Sequence, residues 1–85
     1  MASYRLLIKP SAAKELEGLL LKDRTRVATR LQRLASDPRP TGAEKLSGQD
    51  KYRIRQGDYR VLYSVDDAAL TVVIVKVGHR REVYR

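Results

Sequence analysis

The chain has 85 residues, with eighteen Lys and Arg against ten Asp and Glu, a formal charge of +8. That length supports one small domain, 1–85, whose modest core leaves little room for an enclosed small-molecule pocket, so chemistry is expected on a groove or an open face. With no cysteine there are no disulfides, thiolate nucleophiles or Cys-based zinc sites, and a single histidine, His79, leaves no His cluster for a metal.

The positive field attracts nucleic acid in preference to membrane. The longest apolar run, 70–75, falls far short of the roughly 20 residues a membrane span needs. The N-terminus carries no apolar signal region, so the cytoplasm is the expected location.

Tyr4 to Lys9 alternates as a first strand, with Tyr4, Leu6 and Ile8 on one face. Pro10-Ser11 stops it and opens a helix with Ser11 as the expected N-cap. Ala12, Ala13, Leu16, Leu19 and Leu20 recur at three- and four-residue intervals, which gives about three amphipathic turns. Asp23 is the expected cap of a second helix reaching about Ala35, with Val27, Ala28, Leu31, Leu34 and Ala35 as its buried stripe. Arg24, Arg26, Arg30 and Arg33 cover the rest, either as a solvated face or as a contact for phosphates or an acidic partner. Two short helices joined near 21–23 predict an antiparallel helical hairpin.

Asp37-Pro38-Arg39-Pro40-Thr41-Gly42 reads as a loop returning the chain to the sheet, and 44–48 as a lead-in to the next strand. From Tyr52 the pattern is that of a β-hairpin. Tyr52 and Ile54 alternate with Arg53 and Arg55, Gly57-Asp58 supplies turn chemistry, and alternation resumes at Tyr59, Val61 and Tyr63. A two-residue loop sets Gln56 opposite Tyr59, Arg55 opposite Arg60, Ile54 opposite Val61, Arg53 opposite Leu62 and Tyr52 opposite Tyr63. The tyrosines then fall on the apolar face and Arg53, Arg55 and Arg60 on the other. Like charges directly opposite cost roughly 0.2–1 kcal/mol, a cost that a bound polyanion turns into affinity.

Asp66 to Ala69 reads as a turn of ordinary turn formers, with a carboxylate-only magnesium site at Asp66-Asp67 as the weaker reading. Leu70 to Val77 is β-branched and nearly continuous, as for a central strand covered on both faces. The order β-α-α-β-β-β predicts an α+β domain, a mostly antiparallel sheet with the helical hairpin packed on one face.

Three stretches carry a family resemblance: Lys45-Leu46-Ser47-Gly48; Tyr52 to Arg55 with Gly57-Asp58-Tyr59-Arg60-Val61-Leu62-Tyr63; and Val77-Gly78-His79-Arg80-Arg81-Glu82-Val83-Tyr84. Together they resemble the RelE toxins of the RelE/ParE superfamily. The resemblance implies a toxin of a type II toxin-antitoxin system, held by a RelB-like antitoxin. It would enter the ribosomal A site and cut mRNA there as an endoribonuclease, without a cofactor or metal, by attack of the 2′-hydroxyl on its own 3′-phosphate. By position, Arg53 and Arg55 fall on the family's basic pair, Arg60 and Arg80 on its phosphate-binding arginines and Tyr84 on its C-terminal tyrosine. Arg53, Arg60 and Arg80 would hold the scissile phosphate, and Tyr84 would stack on a base or assist the 2′-hydroxyl.

The chain departs from the best-known pattern, which has lysines at 53 and 55. Arginine essentially cannot lose its proton, so Arg55 is assigned charge stabilisation, and proton transfer falls to Tyr84, His79 or ribosomal groups and water. Lys45, Lys51, His79 and Arg81 are further RNA-binding candidates; His79 also suits proton transfer or a plain strand-end contact. A ParE-like gyrase inhibitor and a non-catalytic RNA-binding module are the alternative readings.

Overall fold

The structure is a computed structural model that describes residues 3–46 and 50–79. Five strands and two helices follow in the order β1 (Arg5–Ile8), α1 (Pro10–Glu17), α2 (Leu21–Arg33), β2 (Glu44–Lys45), β3 (Lys51–Gln56), β4 (Tyr59–Asp66) and β5 (Thr71–His79). The sheet order is β1-β5-β4-β3-β2. Only the β1–β5 pair is parallel; the others are antiparallel. The α+β class and the helix pair on a mostly antiparallel sheet agree with the sequence reading. The two-residue strand β2 is an addition to it.

The hairpin register is as the alternation requires, from Lys51 opposite Ser64 to Gln56 opposite Tyr59. Gly57 takes φ +59° and Asp58 a negative φ, the backbone of a type II′ turn, whose twist matches the strands it joins. One face of this hairpin is sealed. Tyr52, Ile54, Val61, Tyr63 and Val65 pack with Val72, Ile74 and Val77 of β5 and with Ala12, Val27, Leu31 and Leu34 of the helices.

β5 lies between β1 and β4, but it is buried on one face only. Its apolar continuity has another cause. Tyr63 pairs with Ile74 and Leu62 with Lys76, so Val75 is an extra residue, a bulge. The buried set passes from Val72 and Ile74 to Val77, and two alternations out of step read in sequence as one unbroken apolar run.

Both helix starts differ from expectation. Pro10 stands at the first helical position and Lys9 before it, with no side-chain cap, because proline needs no partner for a missing N–H and brings a helical φ. α2 begins at Leu21, two residues ahead of Asp23, whose carboxylate instead accepts a 3.2 Å hydrogen bond from the Tyr59 hydroxyl. Leu20, expected in the first helix's buried stripe, lies in the connection and is 76% exposed. Glu15 ties α1 to β5, accepting from the Val77 N–H at 3.1 Å and pairing with Lys76 at 3.3 Å.

The loop after α2 is fastened by side chains. The Tyr63 hydroxyl donates to the Pro38 carbonyl at 2.7 Å. Arg39 forks onto both oxygens of Asp67 at 3.0 and 2.8 Å, donates to the Tyr52 hydroxyl at 2.9 Å and lies over the Tyr52 ring. Asp67 also accepts from the Tyr4 hydroxyl at 2.7 Å, and Asp66 accepts from the Ala69 N–H. These two carboxylates are thus engaged in holding a turn and a loop, as the turn-former reading expects.

Candidate active site

Strand pairing decides which candidates share a surface. Arg53 and Arg55 of β3 and Arg60 of β4 project from the face away from the helices, with Arg55 directly opposite Arg60. On its other side Arg60 faces Gly78 of β5, which has no side chain, so nothing from β5 at that register rises beside the guanidinium. Lys51 shares the face by alternation but lies toward the far end of β3, opposite Ser64. Three arginines within two neighbouring strands form a compact cationic surface, the kind of surface to which guanidinium groups can bind an anion.

Glu44 completes this surface and was missed in sequence. β2 pairs with β3 so that Glu44 stands opposite Arg53. Its carboxylate accepts a hydrogen bond from Arg53 and lies 3.8 Å from Arg55. The hydrogen bond from Arg53, then the charge of Arg53, and more weakly those of Arg55 and Arg60, hold its pKa below the usual glutamate range. Arg53 is largely covered in this pair, its side chain 18% exposed, while Arg55 and Glu44 are about half exposed, at 54% and 51%. Arg60 makes no ion pair among the described residues, and its Nε is buried without a hydrogen-bond partner there. A buried donor with no acceptor is costly, and an incoming phosphate oxygen would relieve it. The signal for Glu44 was its place one residue before Lys45, but two residues carry no strand periodicity.

Two of the sequence candidates leave this face. Lys45 pairs with Tyr52 and so projects to the helix side at the sheet edge. His79 pairs with Tyr59; its ring meets that tyrosine edge-on at 6.1 Å between centroids. Tyr59 and His79 line a cleft of about 380 Å³ on the helix side, together with Asp23, Arg26, Val27, Gln56, Gly57 and Asp58. Arg80, Arg81 and Tyr84 lie outside the described residues. The arginines of α2 follow the helix surface, and Arg26, Arg30 and Arg33 line a groove with Thr25, Thr29 and Gln56.

Comparison with known proteins agrees with this geometry. Residues 6–84 match the family described as the ParE toxin of type II toxin-antitoxin system, parDE. Among solved structures, a mutant form of the E. coli toxin RelE in the free state superposes with a TM-score of 0.80 at 31% identity, covering 96% of this chain and 90% of that one. The archaeal RelE–RelB complex of Pyrococcus horikoshii gives 0.81 at 30% identity, covering 94% and 98%. The RelBE2 toxin-antitoxin complex of Mycobacterium tuberculosis gives 0.80 at 28%, covering 92% and 99%. Over 34 residues the chain is 50% identical to Toxin RelG of Mycobacterium tuberculosis, a match that spans 40% of this chain and 39% of that protein. With both its sequence and its fold accounted for in this way, the chain belongs to the ParE toxin family of type II toxin-antitoxin systems, and within the RelE/ParE superfamily it is a RelE-like toxin.

Proposed function

We propose that the protein is a ribosome-dependent mRNA endoribonuclease that cuts the codon held in the A site. The observation that carries this reading is the arginine face: Arg53, Arg55 and Arg60 converge on one open side of the sheet, and the buried Nε of Arg60 has no partner among the described residues. Transesterification by the 2′-hydroxyl needs the ester held in line and charge stabilised on the phosphorane-like transition state, and fixed guanidinium groups supply both. Arg60, with Arg53 and Arg80, binds the scissile phosphate; Arg55 stabilises developing charge; Tyr84 stacks on a base or assists the 2′-hydroxyl. Lys51 extends the surface along the RNA, and Arg81 is a further RNA-binding residue by its place in the sequence. Lys45 and His79 are left to the flanks by the sides of the sheet they occupy.

The substrate is single-stranded mRNA, splayed by the ribosome so that a sheet face can reach it. The protein acts in the cytoplasm, and no described helix is long and apolar enough to cross a membrane. A RelB-like antitoxin is the expected partner, as in the complexes of the structural relatives.

The test adds the purified protein to a translation extract and maps new mRNA ends. Cuts within A-site codons that vanish when translation is blocked support the reading. A gyrase-directed toxin is the second reading, favoured by the match to the ParE family; intact messages with loss of gyrase supercoiling would establish it instead. Salt-sensitive RNA binding without cleavage would mark a binding module.

A further inference from the structure

Resting on the endoribonuclease reading, we propose that Glu44 is the general base that removes the proton from the attacking 2′-hydroxyl. An arginine face has a chemical gap. Guanidinium groups hold phosphate and stabilise negative charge, but they have no lone pair to accept a proton at neutral pH. Among the described residues Glu44 is the carboxylate that contacts these arginines, facing Arg53 and Arg55 of β3 and lying in the field of Arg60 of β4, with the cation Lys45 beside it on β2, while Asp66 stands at the far end of β4 and accepts from the Ala69 N–H. His79 pairs with Tyr59 and lies on the other side of the sheet.

The arrangement also makes Glu44 respond to substrate. In the free protein Arg53 and Arg55 hold the carboxylate ionised and weaken it as a base. A phosphate arriving on Arg60 and its neighbours competes for Arg53 and brings negative charge beside Glu44. Both changes raise the carboxylate's proton affinity, so it becomes a stronger base when the hydroxyl is in place. Glu44 stands at the sheet edge, its side chain half exposed, opposite Arg53; Arg60 lies two strands over and two residues along, so about 12 Å separates their backbones. A phosphate on Arg60 with its ribose turned toward β2 bridges that gap.

The step balances without a co-reactant beyond water. The 2′-hydroxyl proton passes to a Glu44 carboxylate oxygen as the 2′-oxygen forms its bond to phosphorus. The bond from phosphorus to the 5′-oxygen breaks with its electron pair, and that oxygen takes a proton from water. Glu44 then returns its proton to solvent, leaving a 2′,3′-cyclic phosphate and a 5′-hydroxyl.

The experiment compares the unsubstituted protein with Glu44→Gln and Glu44→Asp in two measurements. One is single-turnover cleavage of mRNA on programmed ribosomes over roughly pH 5.5 to 8.5; the other is binding of the free proteins to a short single-stranded RNA carrying 2′-deoxy sugars. Glu44→Gln should slow cleavage by about 10²- to 10⁴-fold and abolish the acid limb of the rate profile, while binding the RNA more tightly because a negative charge has left the arginine face. Glu44→Asp should recover part of the rate with an acid limb. Wild-type cleavage by Glu44→Gln with tighter binding would overturn the proposal and leave the carboxylate as a counter-ion. Loss of cleavage and binding together would overturn it in favour of a role in positioning Arg53. Absence of cleavage by the unsubstituted protein would remove the endoribonuclease reading itself, and shows before any variant is made.

Discussion

The two sides of the β3–β4 hairpin follow opposite rules. On the helix side the polar groups are matched: the Tyr63 hydroxyl has the Pro38 carbonyl, and the Tyr52 hydroxyl has Arg39. On the open side, among the described residues, one carboxylate stands against three arginines, Arg55 faces Arg60 across the ladder, and the Arg60 Nε lacks a partner. The same two strands therefore carry one surface whose polar groups are matched and another that, among the described residues, is left with an excess of positive charge. Side chains at neighbouring positions should accordingly respond to substitution in opposite ways.

The sharpest way to break this contrast is a pair of alanines on opposite sides of the hairpin. Arg60→Ala should lower cleavage by about 10²- to 10³-fold and relieve growth arrest. Its stability should stay within about 0.5 kcal/mol of the parent in urea titration. Ile54→Ala should do the reverse, losing about 2 to 5 kcal/mol of stability by opening a cavity in the core, with near-normal cleavage per folded molecule at low temperature. If Arg60→Ala instead unfolds the protein, the open face is structural and the contrast fails.

Next in size is Tyr63→Phe, which strands the Pro38 carbonyl and should cost about 1 to 3 kcal/mol in the same titration while leaving cleavage untouched. Burial also pushes the Tyr63 hydroxyl up to about 12. The folded state thus keeps a proton that the unfolded chain releases near pH 10, so this contribution is complete below about pH 10 and is lost as pH rises toward about 12. Thermal melts should show a steeper alkaline fall for the parent than for Tyr63→Phe. The smallest effect concerns Asp67, whose pKa is lowered first by its hydrogen bond from Arg39 and then by that from Tyr4. Its contribution is present above about pH 4 and lost as pH falls below that, so Asp67→Asn should flatten the acid end of the melting curve slightly.

Legibility in the sequence followed the length over which a pattern repeats. The hairpin was readable because alternation on both arms and a Gly-Asp turn agree on one register, and the α2 stripe of Val27, Leu31 and Leu34 was readable because three helical turns repeat it. Strand β2 was not, since two residues show no period, and Glu44 went unnoticed with it. Arg39 engages a residue 28 positions away, beyond any local pattern. Asp23 looked like a helix cap because nothing nearby reveals that Tyr59, 36 positions on, claims its carboxylate.

The extra residue in β5 has a further consequence, which concerns parity. Before Val75 the even-numbered side chains, Val72 and Ile74, enter the core; after it the odd-numbered Val77 does. Val75 is therefore a position in the strand where a deletion conserves phase. Removing it should straighten the ladder while Gly78 stays beside Arg60 and His79 beside Tyr59. Removing Lys76 instead should set Val75 opposite Leu62 with the same phase, whereas removing Val73 should turn Ile74 outward and bring the smaller Val75 into its place in the core, so that β5 tolerates a shorter length best at its bulge.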